Sequence, residues 1–226
     1  MPRHGRTHVR TSLTRTVIAL AASSAVMGLG AAPASAENWR GSDPAGDVMT
    51  YTSSPEPPPC GTFTEGADPA NHTADLVSLA VRHRRDTVEL SAGFRDFTGG
   101  GQQSLEFDVK TDKHEFSISL DRRRTGAAAR ISVLRPGEPS APDECGYYTV
   151  MSLVDPCRGL EADLSPSLDV VSVVLPRGCL GDPRWIRVGV QTGRSAGEAW
   201  STDIWAEPGV DTAVYTGPYG PRVRRG

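Results

Sequence analysis

The chain has 226 residues, with 24 Lys+Arg, 27 Asp+Glu, 18 Pro and 4 Cys, and a formal net charge of −3. This slight acidity argues against a dedicated nucleic-acid binder. Past residue 36 no apolar run is long enough to cross a bilayer as a helix, and the length fits one domain or two small ones.

The first 36 residues read as a secretory signal peptide. Arg3, Arg6, Arg10 and Arg15 make a positive start, residues 16–32 are apolar, and Ala34-Ser35-Ala36 is an A-x-A cleavage site. No twin Arg precedes the apolar stretch, which points to the general secretory route. The mature chain is expected to begin at Glu37, to be secreted, and not to insert into a membrane. Removing the segment takes away four arginines and no acid. That leaves 20 basic against 27 acidic residues, a formal charge of −7.

Beyond that point the apolar period is two. Val77, Leu79 and Val81 alternate with polar or small residues, as do Val88, Leu90, Ala92 and Phe94. Leu105, Phe107 and Val109 follow, then Phe116, Ile118 and Leu120, then Ala129, Ile131 and Val133. Each set places its apolar members on one face of a strand. Residues 148–154, 170–175, 185–191, 200–205 and 212–215 continue the series, separated by Gly- and Pro-rich turns. Residues 53–73, with Pro55, Pro57, Pro58 and Pro59, are expected as a long loop tied down by Cys60. Many short strands with one wet face each predict an all-β fold, a two-sheet antiparallel sandwich of jelly-roll type. It would occupy residues 37–215, with 216–226 as a flexible C-terminal tail.

Four Cys in an exported chain predict two disulfides. Cys157 and Cys179 bracket two strands joined by a turn at Pro166. The outer ends of such a hairpin meet, so these two can pair, which leaves Cys60 with Cys145.

Candidate sites are few. Asp43 and Asp47 bracket a Pro-Ala-Gly turn and Asp75 opens a later strand. Hard oxygen ligands of this kind suit a structural Ca²⁺, though Asp43 and Asp47 can equally hydrogen-bond their own turn. Gly193-Arg194-Ser195-Ala196-Gly197 fits the G-x-S-x-G of a hydrolase nucleophile elbow. That motif needs a helix after it and a later His, and the only mature histidines, His72, His83 and His114, all precede it. The pentapeptide is therefore read as a hairpin turn, with no catalytic residue assigned, and the three histidines as solvated. Trp200 and Trp205 are five apart, so a strand puts them on opposite faces: one in the core, the other outward, where it can stack on a sugar ring or a partner. Trp39 is a second candidate for exposure.

The opening Asp43-Pro44-Ala45-Gly46-Asp47, then Ala74-Asp75-Leu76, residues 175–180 and residues 183–190 resemble a group of uncharacterised secreted actinobacterial proteins. The D-x-x-G-D opening is also similar to the start of family-9 carbohydrate-binding modules and DOMON-type domains. The resemblance implies a jelly-roll-like sandwich and an extracellular location. It leaves three readings of function: a non-enzymatic protein that binds an extracellular or cell-wall polymer or protein partner, a hydrolase with a carboxylate-based site, and an envelope-associated structural protein. Intact mass of the exported protein checks the first step. The expected product starts at Glu37, and one that keeps the Arg-rich start contradicts the reading.

Overall fold

Leu79, Leu90, Phe107, Ile118, Val173 and Leu175 are all fully buried, while the residues between them on each strand reach solvent. This two-residue alternation is what a pleated strand produces when one face packs and the other is wet. In the computed structural model, which describes residues 37–54, 60–98, 102–122, 130–146, 149–197, 199–206 and 218–226, these strands form two antiparallel sheets. The expected signal segment and the strand at 212–215 lie outside the described residues.

The first three strands are β1 (Glu37–Ser42), β2 (Met49–Ser54) and β3 (Thr62–Ala67). Two hairpins follow, β4 (Leu76–His83) with β5 (Thr87–Phe94), and β6 (Gln102–Thr111) with β7 (Glu115–Arg122). Next come β8 (Arg130–Pro139), β9 (Val150–Asp155), β10 (Glu161–Ser165) and β11 (Val170–Pro176). The longest strand, β12 (Trp185–Ala196), turns back into β13 (Ala199–Ile204), and β14 (Val223–Arg224) closes the chain. The smaller sheet runs β1-β4-β5-β11-β10. The larger runs β3-β2-β13-β12-β6-β7-β8-β9, with β14 added on β12.

The inner faces share one apolar core that includes Phe107, Leu90, Ile118, Leu175, Ile186 and Trp205. Trp205 is fully buried and meets Trp39 edge to face, with ring centroids 5.3 Å apart. Trp39 is thus half-buried cover for the core, not the exposed aromatic expected from its place near Glu37. Truncating an indole packed like Trp205 typically costs about 3–5 kcal/mol.

Both expected disulfides are present. Cys157–Cys179, with Cα atoms 5.3 Å apart, closes the β10–β11 hairpin. Cys60–Cys145, at 5.5 Å, fastens the start of β3 to the segment after β8.

Three local expectations change within the strands. Residues 53–73 are not one loop, because β2 and β3 pair as a hairpin from Met49↔Ala67 to Ser54↔Thr62. Its β3 arm is exposed on both faces, so no apolar alternation marks it in the sequence. A bulge between Leu76 and Ser78 shifts the register of β4, so Leu76 is buried and Val77 is not. His83 is not solvated. It is fully buried, with Nδ1 3.1 Å from the Val223 carbonyl oxygen, and burial holds its pKa below the usual value.

The C-terminus also differs from the expected free tail. Val223 is buried, Ile186 pairs with it across the β12–β14 ladder, and the Gly226 amide donates to the His83 carbonyl. Deleting residues 222–226 exposes the Val223 pocket and strips His83 of its acceptor. The expected cost is about 3 kcal/mol or more by urea unfolding, where a free tail would leave the midpoint unchanged.

Candidate functional site

At one end of the sandwich three chain segments are tied together by aspartates. Asp43 follows β1, and the turn after it needs a left-handed residue, supplied by Gly46 at φ +87. The Gly46 amide donates to Asp75 Oδ2 at 2.9 Å. Asp75 immediately precedes β4, whose first amide, Leu76 N, donates to Asp203 Oδ2 at 2.6 Å. Asp203 lies at the end of β13, and three residues on, Ala206 N donates to Asp43 Oδ1 at 2.6 Å. The circuit therefore closes: each of the three segments offers one carboxylate to a neighbour and one amide to the other.

The electrostatics of this ring are unfavourable as it stands. Asp43, Asp75 and Asp203 are 8%, 0% and 4% exposed, while Asp47 faces solvent. One oxygen from each of Asp43, Asp47 and Asp203 lies within 4.8 Å of the others. The Arg95 guanidinium reaches Asp75 Oδ2 at 3.4 Å and is itself partly exposed. Burial, reinforced by the neighbouring carboxylates, pushes Asp43 up to about 8 and Asp203 up to about 7. Asp47 is raised by the same causes. Asp43 Oδ2 and Asp75 Oδ1 are buried with no hydrogen-bond donor. Sequence reasoning grouped Asp43, Asp47 and Asp75. The structure brings the first two together with Asp203 and sets Asp75 beside them as a brace for the turn. Asp203 carries no spacing signal; its only mark is an acid at an inward position of β13, in step with the buried Ser201.

A second feature lies on the outer face of the larger sheet. Trp200 faces outward, opposite to Trp205, and is 40% exposed. Its indole lies across Gly193 of β12: a Cβ there would overlap Cζ2 and come 2.5 Å from Cη2. Glycine thus leaves the room in which the benzo end of the ring sits against the sheet. Tyr51 is its cross-strand neighbour on β2, Glu65 follows on β3, and Phe63, 62% exposed, shares that face. On the other side the face is polar. Gln191 Nε2 donates to Glu106 Oε2 at 3.3 Å, and Ser104 and Thr202 flank Gly193 across the two ladders. No protein-family model, curated protein or solved structure matches this chain.

The G-x-S-x-G pentapeptide is the end of the β12–β13 hairpin. β12 runs through Ala196, Gly197 turns at φ +63, and a strand follows instead of a helix. Ser195 sits opposite Trp200, on the outer face. His83 is buried against Val223, His114 packs edge-on to Phe116, and His72 shares a depression with Arg194, whose side chain leaves the other face of β12. The pentapeptide therefore makes a turn, and Gly193 within it makes the seat of Trp200.

The raised carboxylates set a pH dependence. A folded pKa above the unfolded value near 3.8 means stability that is full below that value and is lost as pH rises toward 7–8. His83, with a lowered pKa, acts in the opposite sense and only below the ordinary imidazole value of 6.5. With divalent ions removed by EDTA, the melting temperature should therefore fall between pH 6.5 and pH 8. A flat or rising trend would contradict this electrostatic account.

Proposed function

We propose that the protein is a secreted, non-enzymatic β-sandwich that binds an extracellular or cell-wall polysaccharide, with Trp200 as the contact. The observation that carries this reading is an indole seated against Gly193 on the outer face of the sheet and 40% exposed. The face of an aromatic ring is electron-rich, and the C–H bonds on one side of a pyranose present a matching positive surface. A rigid, flat indole loses little entropy when a sugar stacks on it. Tyr51 extends the apolar strip, while Ser104, Gln191, Glu106 and Thr202 offer donors and acceptors of the kind sugar hydroxyls need. Disulfides and strand-rich architecture suit an oxidising extracellular setting.

A second reading, hydrolysis by paired carboxylates, draws on one observation. Asp108 shares the outer face with Glu106, and burial together with Glu106 pushes it up to about 6, a value suited to proton donation. Asp43 and Asp203 support that reading less, since both are buried and each already accepts a backbone amide.

Affinity electrophoresis and pull-down against insoluble cellulose, chitin, xylan and peptidoglycan separate the two. Retention on at least one polymer is expected, and Trp200→Ala should weaken it by tenfold or more with little change in melting temperature. Equal retention of wild type and Trp200→Ala would refute the platform. Sugar release that is lost in Asp108→Asn would favour the hydrolase.

A further inference from the structure

We infer that Asp43, Asp47 and Asp203 bind one calcium ion at the end of the sandwich, and that the ion locks the first turn to β13. Three observations carry this. The first is the donor set. Carboxylate oxygens are hard ligands, and the three lie within 4.8 Å of one another. Ca²⁺ binds oxygen at about 2.3–2.6 Å, so ligands on opposite sides of it are roughly 4.6–5.2 Å apart. Three carboxylate oxygens no more than 4.8 Å apart can therefore face one such ion together. Mg²⁺ demands a near-ideal octahedron and gives up its waters reluctantly, so carboxylates brought in from two separate segments suit it less.

The second observation is a buried acceptor without a donor. Asp43 is 8% exposed; its Oδ1 takes the Ala206 amide and its Oδ2 takes nothing. Asp75, fully buried beside the cluster, likewise leaves Oδ1 unpartnered. A buried carboxylate oxygen with no partner costs on the order of 1–3 kcal/mol or more, and native folds seldom leave one so. A cation would satisfy Asp43 directly and relieve Asp75 through the field.

The third observation is the charge balance. Four carboxylates converge, and among the described residues the one cation paired with them is Arg95, held 3.4 Å from Asp75 and not from the other three. A divalent ion supplies the missing charge. Asp47 is exposed, so the site opens to solvent on that side, where water can complete the coordination. Calcium here joins the turn after β1 to the end of β13, two segments 160 residues apart in sequence, and so acts as a structural cross-link.

Calorimetric titration of the EDTA-treated, desalted protein with CaCl2 tests this, with melting curves run alongside. One ion per chain is expected, with a Kd on the order of 0.1–1 mM or tighter, as in extracellular modules. At about 10 mM CaCl2 the melting temperature should rise by roughly 3–10 °C, and less with MgCl2. Asp47→Asn removes an exposed ligand without breaking the ring of amide contacts. It should fold normally, match or exceed the metal-free melting temperature of the wild type because one repelling charge is gone, and bind Ca²⁺ at least tenfold more weakly. Absence of heat and of any melting shift at about 10 mM CaCl2 would overturn the site. A shift equally large with MgCl2, or unchanged in Asp47→Asn, would overturn the calcium assignment.

Discussion

The fold turns on a closed circuit of three backbone amides and three buried aspartates. Gly46 donates to Asp75, Leu76 to Asp203 and Ala206 to Asp43. Each bond gives a buried carboxyl oxygen a backbone donor, and it is charge-assisted wherever that carboxyl is ionised. The circuit joins the start of the smaller sheet to the end of the larger one, so it fixes how the two sheets meet at that end. It also concentrates negative charge where water is excluded. That conflict is the main electrostatic cost visible in the structure, and it sits where the chain can least dispense with order.

The same circuit positions the exposed aromatic face. β13 carries Asp203 inward and Trp200 outward, three residues apart and so on opposite sides of one strand. β2 begins just after Asp47 and carries Tyr51 beside Trp200. Strands β2, β13 and β12 thus share their register with the aspartate ring at one end and with the indole platform along their outer face. The disulfides act elsewhere: one closes the β10–β11 hairpin in the smaller sheet, the other pins the start of β3.

Much of the framework was legible in the sequence. The alternation in β5, β6, β7 and β11 is regular because each packs one face against a continuous core, and the cysteine hairpin argument needed only the turn at Pro166. What escaped had physical reasons. β3 packs neither face, so no periodicity could reveal it. The bulge at Leu76–Ser78 inverts β4 locally, which no alternation pattern encodes. His83 and Val223 are 140 residues apart, and a histidine satisfied by a carbonyl looks in sequence like one facing water. The acidic site was half legible: the D-x-x-G-D turn announces Asp43 and Asp47, while Asp203 joins them only through the pairing of β13 with β2 and β12. The seat of Trp200 was hidden inside a motif better known for catalysis, where Gly193 serves as a floor for the ring.

Native-state hydrogen exchange at three amides, Gly46, Leu76 and Ala206, tests the central claim most directly. If the circuit is one cooperative unit, the three should show the same opening free energy, higher than that of neighbouring loop amides, and should lose protection together when Asp203 is replaced by Asn. Independent protection of the three, with only Leu76 responding to Asp203→Asn, would show separate local contacts and contradict the account.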